Sequence, residues 1–180
     1  GVALQGVLRN PLADPGLIGV TAGAAVGAVA VIVLGNFVAA DIPEALRPYL
    51  LPLAAFCGAA LVTAFVFRVA RHGGATSVAT LILAGVAVNA IAGAAIGAMV
   101  YVSDNTQLRD LTFWSMGGLG AANWTTAGLA AACILAAAGG LARMARALDL
   151  FQLGERAAYH AGLDVERAKL AAAAWSALAV

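Results

Sequence analysis

Residues 78–102 read VATLILAGVAVNAIAGAAIGAMVYV, a stretch of 25 residues without a charged side chain. A helix needs about 20 predominantly apolar residues to cross the hydrocarbon core of a bilayer. In water, a helix of this composition would expose apolar surface that no polar side chain could cover. The stretch is therefore predicted to form a membrane-spanning helix.

Three other apolar stretches are also long enough to cross a bilayer. The predicted complete spans are residues 17–38, 49–67, 78–102 and 125–142. Shorter apolar stretches at the two ends, 1–8 and 170–180, are predicted to be partial spans, so we expect one transmembrane domain, residues 1–180, truncated at both ends. Helices are expected because they satisfy backbone hydrogen bonds within the segment, and no apolar–polar alternation indicates a barrel. The predicted fold class is an all-α, polytopic transmembrane helical bundle.

The composition agrees with a membrane protein. Hydrophobic residues make up 63% of the chain, charged residues make up 11%, and the mean hydropathy is +0.94. Soluble domains carry about 25% charged residues, which this chain would need in order to fold in water. The net charge of +1 gives no indication of nucleic-acid binding. Cys57 and Cys133 lie far apart without a neighbouring histidine, so we expect neither a metal site nor a disulfide framework, and no cofactor is predicted.

The distribution of lysine and arginine predicts the orientation. Cytoplasmic loops of membrane proteins carry an excess of these residues. Eight basic residues fall in the breaks 9–16, 68–77 and 143–169, which are predicted to be cytoplasmic, and two fall in the outward breaks 39–48 and 103–123. We therefore expect a multi-pass protein of the bacterial inner membrane.

The sequence contains no motif of an ATPase or of a common hydrolase. The phosphate-binding loop GxxxxGK[ST], the metal-binding HExxH and the nucleophile motif GxSxG are all missing. The chain is predicted not to be an enzyme. Energy for any activity must come from a partner that hydrolyses ATP or from a gradient.

Small residues recur every four positions in two of the predicted spans. The first stripe contains Gly19, Gly23 and Gly27, and such spacing favours close packing of helix backbones. The second contains Gly85, Asn89, Gly93 and Gly97. A polar side chain near the middle of a span indicates either a transport pathway or a hydrogen bond between helices, and both interpretations of Asn89 stay open.

The first break contains two prolines four residues apart in LRNPLADPGLIGV, residues 8–20. Proline fixes φ and biases the preceding residue to an extended conformation, so this segment is predicted to form a rigid re-entry loop. The string RNPLADPGLIGV closely resembles the signature loop of permease subunits of type II ABC importers for iron–siderophore complexes, haem or cobalamin. The residues that match the loop are Arg9, Asn10, Pro11, Asp14, Pro15 and Gly16.

The last break contains LDLFQLGERAAYHAGLDV, residues 148–165, which is too short and polar to span a membrane. Gly162 stands where a helix C-cap is expected, so the residues predict a short cytoplasmic helix, and a helix resting on lipid headgroups stays an alternative. The pattern LxLGExAxxxGxDVxR resembles the coupling helices by which these permeases dock on their ATPase subunits. The resemblance implies a coupling region over 143–169, with contacts at Leu153, Gly154, Glu155, Ala158 and Gly162.

The resemblance extends through LILAGVAVNAI, residues 81–91, and QLRDLTFWSMGGLGAANW, residues 107–124. It implies a permease of about ten helices, more than the four complete spans predicted here. The implied partners are an ABC ATPase subunit that hydrolyses ATP, a periplasmic substrate-binding protein, a second permease subunit in a homodimer or a pair of homologues, and membrane lipid. The resemblance assigns to the translocation path Asn89, Gly93, Gly97 and Met99, and to the periplasmic gate or loop Gln107, Arg109 and Trp114.

The resulting hypothesis is the membrane-spanning subunit of an ATP-driven importer for haem or another iron chelate. Residues 85–95 and 101–120 look more similar to haem permeases than to cobalamin permeases, but a ferric-siderophore or cobalamin permease is the alternative. A gradient-driven transporter or channel is an alternative of another class. All nine acidic residues lie in the breaks, so ion coupling has no obvious ligand within a span.

Overall fold

The computed structural model describes residues 1–11, 13–38, 42–72, 75–118 and 123–179. The regular structure of these residues is helical apart from one pair of two-residue antiparallel strands, which confirms the predicted all-α fold class. The elements in chain order are α1 (Val2–Leu8), α2 (Val20–Val38), a 3₁₀ turn (Glu44–Leu46), α3 (Arg47–Ala70), β1 (Arg71–His72), β2 (Ala75–Thr76), α4 (Val78–Tyr101), α5 (Asn105–Met116), α6 (Trp124–Arg143), α7 (Ala145–Gln152), α8 (Glu155–His160) and α9 (Val165–Leu178).

Helices α3, α4 and α6 are long and apolar enough to cross a membrane, and α2 is a shorter apolar helix of 19 residues. The predicted spans 78–102 and 125–142 agree with α4 and α6 to within one residue at each end. Helix α3 has 24 residues and is longer than the predicted span 49–67 at both ends. Hydropathy identifies only the apolar part of a helix, whereas α3 continues through Arg68 at one end and begins at Arg47 at the other.

Two predicted span starts are wrong. Helix α2 begins at Val20 and not at Leu17, because the preceding residues form consecutive turns and Gly19 has a positive φ of 86°. Helix α9 begins at Val165, five residues before the predicted start at 170. The Asp164 carboxylate accepts a hydrogen bond from the backbone N–H of Arg167 (3.1 Å) and so caps α9 at that point. The predicted coupling region 143–169 therefore includes the first turn of α9.

The prediction of a single helix within 148–165 is also wrong, because the structure has two helices there. Helix α7 ends at Gln152 and α8 begins at Glu155. Between them, Gly154 has φ 105° and ψ 154°. Glycine adopts this conformation readily, whereas other residues are strained in it. The backbone therefore changes direction at Gly154, and α8 runs separately from α7.

Helices α2 and α3 pack with their backbones close together. A Cβ atom added to Gly23 would overlap the carbonyl oxygen of Gly58, and one added to Gly27 would overlap the carbonyl oxygen of Ala54. Such contacts are typical of membrane helices, where small residues allow close van der Waals packing. The packing predicted for the first stripe is thus confirmed at Gly23 and Gly27.

The main apolar core lies where α1, α3, α4, α7 and α9 meet the loop before α2. Its largest fully buried apolar side chains are Phe151, Leu4, Ile18, Leu81, Val7, Val20 and Val66. A smaller cluster joins α2 to α5 through Val29, Val33 and Leu111. The predicted coupling region is therefore attached to the bundle by Phe151 of α7 and by the buried face of α9.

Candidate functional site

The loop that resembles the family signature is a compact series of turns. The Asp14 carboxylate accepts a hydrogen bond from the Gly16 N–H at 2.7 Å, and the Gln5 side chain of α1 donates to the Pro11 carbonyl at 2.9 Å. Pro15 is buried, and so are the neighbouring apolar residues Ala13 and Ile18. These bonds and this burial agree with the rigid re-entry loop that the two prolines predict.

Part of this loop lies beside the middle of α4. The Asn89 side-chain amide donates a hydrogen bond to the Gly16 carbonyl at 3.0 Å. Asn89 lies 11 residues beyond Val78, the first residue of α4, which is about 16 Å along a helix that rises 1.5 Å per residue. Non-helical backbone at such depth is tolerated where protein buries it and satisfies its polar groups. Asn89 thus supplies a partner to a carbonyl of the loop.

The four residues assigned to a translocation path do not share one environment. Asn89 contacts the loop, and Met99 packs against the small cluster of Val29, Val33 and Leu111. Gly93 and Gly97 lie on an open face of α4, where an added Cβ would meet no atom within 4 Å. The structure therefore brings Asn89 and Met99 into packing contacts and leaves the two glycines exposed.

The residues assigned to an outward gate or loop lie on α5. The Asp104 side chain accepts hydrogen bonds from the N–H groups of Thr106 and Gln107, and the Gln107 side chain accepts one from the Asp104 N–H, which forms a capping box. The Gln107 side-chain amide also donates to the Val33 carbonyl of α2 at 3.0 Å. Arg109 and Trp114 are exposed. Gln107 therefore fixes α5 to α2, while the other two residues stand at the surface.

The matched coupling residues surround α8. Ala158 is fully buried, whereas Leu153 is 71% exposed just before the helix. Gly162 has φ 89°, and the bonds Gly162 N–H to Tyr159 carbonyl and Leu163 N–H to Ala158 carbonyl form a Schellman motif, which confirms the predicted C-cap. Helix α8 therefore ends in a fixed geometry with one face against the protein.

The signature loop and the coupling region meet at Gly154. Arg9 ends α1 in a left-handed conformation, φ 48° and ψ 37°. Its guanidinium lies beside Gly154, because a Cβ added to that glycine would stand 3.4 Å from Arg9 Nη1. Two segments that sequence resemblance singled out separately are thus adjacent, at the point where α8 begins.

An open groove of about 850 Å³ lies beside α8 and the start of α9. Residues of both helices and of their connection form its walls. The lining residues are Glu155, Arg156, Tyr159, His160, Gly162, Leu163, Asp164, Val165 and Glu166. The groove combines charged and aromatic side chains on an exposed surface.

A buried lysine beneath this groove was missed by the sequence analysis, which counted it only as a cytoplasmic charge. The Lys169 side chain is fully buried, and its ammonium lies 2.9 Å from a Glu155 carboxylate oxygen and 3.5 Å from one of Glu166. It also donates to the Thr76 carbonyl at 3.3 Å. Removing one partner of a buried ion pair typically costs about 3–5 kcal/mol, so Lys169 depends on these contacts. We call Lys169, Glu155, Glu166 and Thr76 the Lys169 cluster.

Thr76 and Glu166 form the other half of the Lys169 cluster. The Glu166 carboxylate accepts hydrogen bonds from the Thr76 hydroxyl (2.5 Å) and the Thr76 N–H (3.0 Å). Burial of the Glu166 carboxyl acts to raise its pKa, but these two bonds and the charge of Lys169 outweigh burial and hold the pKa below its usual value. Glu166 is therefore ionised at neutral pH, and it attaches α9 to the start of α4.

One sequence signal for this cluster was available. Glu166 and Lys169 are three residues apart, a spacing that places both on one face of a helix. The partners Thr76 and Glu155 lie in other segments, and Thr76 is 93 positions away from Lys169. Sequence spacing could not indicate those contacts.

Comparison with known proteins finds a matching transport family and similar permease proteins. The model of the FecCD transport family matches residues 1–180. The hemin transport system permease protein HmuU of Yersinia pestis is 42% identical over 170 residues, which cover 94% of this chain and 49% of that protein. The cobalamin import system permease protein BtuC of Halobacterium salinarum is 37% identical over 169 residues, covering 94% of this chain and 43% of that protein. The chain thus spans about half the length of these curated relatives.

The fold also matches a solved structure. An inward-facing conformation of a metal-chelate type ABC transporter superposes with a TM-score of 0.81 and 27% sequence identity. The match covers 98% of this chain and 54% of the other. The arrangement of helices α1 to α9 is therefore that of part of a transporter subunit.

Proposed function

The chain belongs to the FecCD transport family, and from that premise we propose that it is part of the membrane-spanning subunit of an ATP-driven importer for haem or another iron chelate. The family match over residues 1–180 is the observation that carries this proposal. The chain is a multi-pass membrane protein, and the bacterial inner membrane is its proposed location. Its proposed partners are an ABC ATPase subunit, a periplasmic substrate-binding protein and a second permease subunit, which forms a homodimer with it.

The ATPase subunit is proposed to dock on the surface formed by α8 and the groove beside it. Leu153 is exposed at the start of this surface, and the glycines Gly154 and Gly162 fix the direction of the chain on either side of α8. Ala158 holds the opposite face of α8 against the protein. Glu155 is proposed to contribute from the inner side of the helix, because its carboxylate contacts Lys169. The permease then needs no ATPase motif of its own, because the partner hydrolyses ATP.

The translocation path is proposed to run along the open face of α4. Gly93 and Gly97 present no side chain there, so a large cargo can pass close to the helix backbone. Asn89 and Met99 hold the same helix against the loop and against α2 and α5. On the outer side, Gln107 fixes α5 to α2, and Arg109 and Trp114 are proposed to form the surface of the gate.

Haem is the proposed cargo, supported by the 42% identity to a hemin permease. Cobalamin is the second candidate, supported by the 37% identity to a cobalamin permease. None of the helices α3, α4 and α6 contains an Asp or Glu. This lack of a carboxylate gives no support to a gradient-driven transporter, which would need an ion ligand within the membrane.

Growth of a bacterial strain tests this function with the full-length gene. A strain that lacks siderophore synthesis and this permease should grow on haemin as sole iron source when the gene is restored, and an empty vector should not support growth. Deletion of the partner ATPase from the restored strain should abolish growth on haemin, because the permease takes its energy from that subunit.

Other outcomes separate the alternatives. Growth on ferrichrome-type chelates but not on haemin, or rescue of cobalamin uptake instead, would replace the cargo and leave the permease function intact. Haemin-dependent growth that persists without any ATPase subunit would contradict an ATP-driven importer and favour a gradient-driven one.

A further inference from the structure

The Lys169 cluster joins three segments that are far apart in sequence. Glu155 is the first residue of α8, Lys169 lies one turn into α9, and Thr76 lies between α3 and α4. Thr76 is followed directly by Ser77, whose hydroxyl oxygen accepts a hydrogen bond from the Thr80 N–H and so caps α4. The cluster therefore connects the proposed ATPase-docking helix to the first turn of the helix that is proposed to border the path.

Helix α8 is short and lies between two bends of the backbone. It has six residues, and Gly154 and Gly162, which flank it, both have positive φ angles of 105° and 89°. Bends of this kind fix a direction, but they do not transmit force as a continuous helix would. Contacts of α8 with its neighbours therefore decide whether a push on α8 moves the rest of the bundle.

The ion pair between Glu155 and Lys169 is such a contact. The Lys169 ammonium is fully buried and lies 2.9 Å from the Glu155 carboxylate. A buried ammonium has no water to replace a lost partner, so it holds the carboxylate at this distance more firmly than an exposed pair would. On its other side the same ammonium contacts the Thr76 carbonyl, and Glu166 holds the hydroxyl and N–H of Thr76.

We propose that Lys169 is a positioning residue that holds α8 to the start of α4, so that a displacement of α8 by the ATPase moves α4. This inference rests on the proposed function, because it assumes that α8 is the docking helix. The alternative is that Lys169 only neutralises the carboxylates of Glu155 and Glu166 and that α4 moves through apolar packing. The two cases differ in what happens when the ion pair is removed but the fold is kept.

Glu155→Gln removes the charge with little change of shape at a half-exposed position, and Lys169→Met removes the other partner. The matched control is Arg167→Gln, because Arg167 forms a comparable 3.0 Å ion pair with Asp164 one turn away, but its side chain is 88% exposed. Lys169→Arg keeps the positive charge, so it should keep part of the coupling that Lys169→Met loses. All variants are made in the full-length permease.

The first measurement is the distance between spin labels at residues 79 and 157, after replacement of all cysteines of the full-length protein, Cys57 and Cys133 among them. Both positions are exposed alanines, one at the start of α4 and the other on α8 outside the groove. The unsubstituted protein should give a single narrow distance distribution, and the control variant Arg167→Gln should give the same one. Glu155→Gln and Lys169→Met should broaden it, because α8 is no longer held to α4. An unchanged distribution in both variants would contradict the proposal.

The second measurement is haemin transported per ATP hydrolysed in liposomes that contain the complete importer. Lys169→Met should still bind the ATPase and hydrolyse ATP, because the Lys169 side chain is fully buried and lies outside the proposed docking surface, but haemin per ATP should fall by about fivefold, within the roughly 2- to 30-fold range for residues of a coupling network. Arg167→Gln should keep the ratio of the unsubstituted importer. A normal ratio in Lys169→Met and in the double variant Lys169→Met, Glu155→Gln would show that the cluster only balances charge. Failure of the unsubstituted importer to transport any chelate with ATP would instead contradict the proposed function.

Discussion

Two glycine stripes with the same four-residue spacing have different environments in this molecule. In α2, Gly23 and Gly27 lie against the backbone of α3, where no Cβ atom would fit. In α4, Gly93 and Gly97 have no atom within 4 Å of the position of a Cβ. The spacing of small residues therefore shows where backbones can approach closely, but not which of those surfaces a neighbouring helix covers.

The α4 stripe itself is divided in the same way. A Cβ on Gly85 would overlap the carbonyl oxygen of Leu17, and Asn89 donates a hydrogen bond to the Gly16 carbonyl. The first half of the stripe thus packs against the signature loop, and the second half is open. The hydrogen bond of Asn89 agrees with the packing interpretation of that residue, and transport along the open half stays a proposal.

The largest effect is expected for Gly27→Leu. A leucine side chain at this position cannot avoid the Ala54 carbonyl without separating α2 from α3. We expect the free energy of unfolding to fall by about 3 kcal/mol or more, at the upper end of the cost of overpacking. Unfolding of the full-length protein in detergent would measure it, with Gly93→Leu as the control. Equal stability of the two variants would contradict the difference between the stripes.

Much of the fold could be predicted because composition determines it. The spans α4 and α6 were located to within one residue at each end, since a long apolar segment without charges has few alternatives to a membrane helix. The start of α2 could not be located. It depends on how the loop packs against Gly85 and Asn89, which lie more than 60 positions later in the chain.

The candidate site was predicted less well, because it also depends on contacts between segments that are distant in sequence. Resemblance identified Glu155 and Gly154, but it gave no partner for either, and the structure places Lys169 beside one and Arg9 beside the other. These contacts join segments that are distant in sequence. The orientation predicted from basic residues stays a prediction, and one residue expected to face outward, Asp41, lies outside the described part of the chain.

An intermediate effect is expected for Gly93→Leu, on transport alone. The side chain would enter open space, so the free energy of unfolding should stay the same or rise by up to about 1 kcal/mol, since leucine favours a helix more than glycine does. Haemin uptake should nevertheless fall several-fold if this face of α4 borders the path. Gly93→Ala, with a much smaller side chain, should keep most uptake. Normal uptake in the leucine variant would show that the path lies elsewhere.

The smallest effect is expected for Asn89→Ala, which changes the packed half of the stripe. The substitution removes the hydrogen bond to the Gly16 carbonyl, and such bonds between membrane helices contribute about 0.6 kcal/mol on average. It also removes Asn89 Oδ1, a buried oxygen that has no hydrogen-bond partner among the described residues and whose burial is unfavourable.

These two contributions oppose each other, so the free energy of unfolding should change by less than about 1 kcal/mol. Asn89→Asp should destabilise the protein more, because its carboxylate would face the Gly16 carbonyl instead of donating to it. Unfolding in detergent compares the two variants, and haemin uptake tests the function of the position. Because the Asn89 side chain holds the loop, uptake should follow stability and stay near normal in Asn89→Ala. A stable Asn89→Ala protein that no longer takes up haemin would instead place this side chain in contact with the cargo.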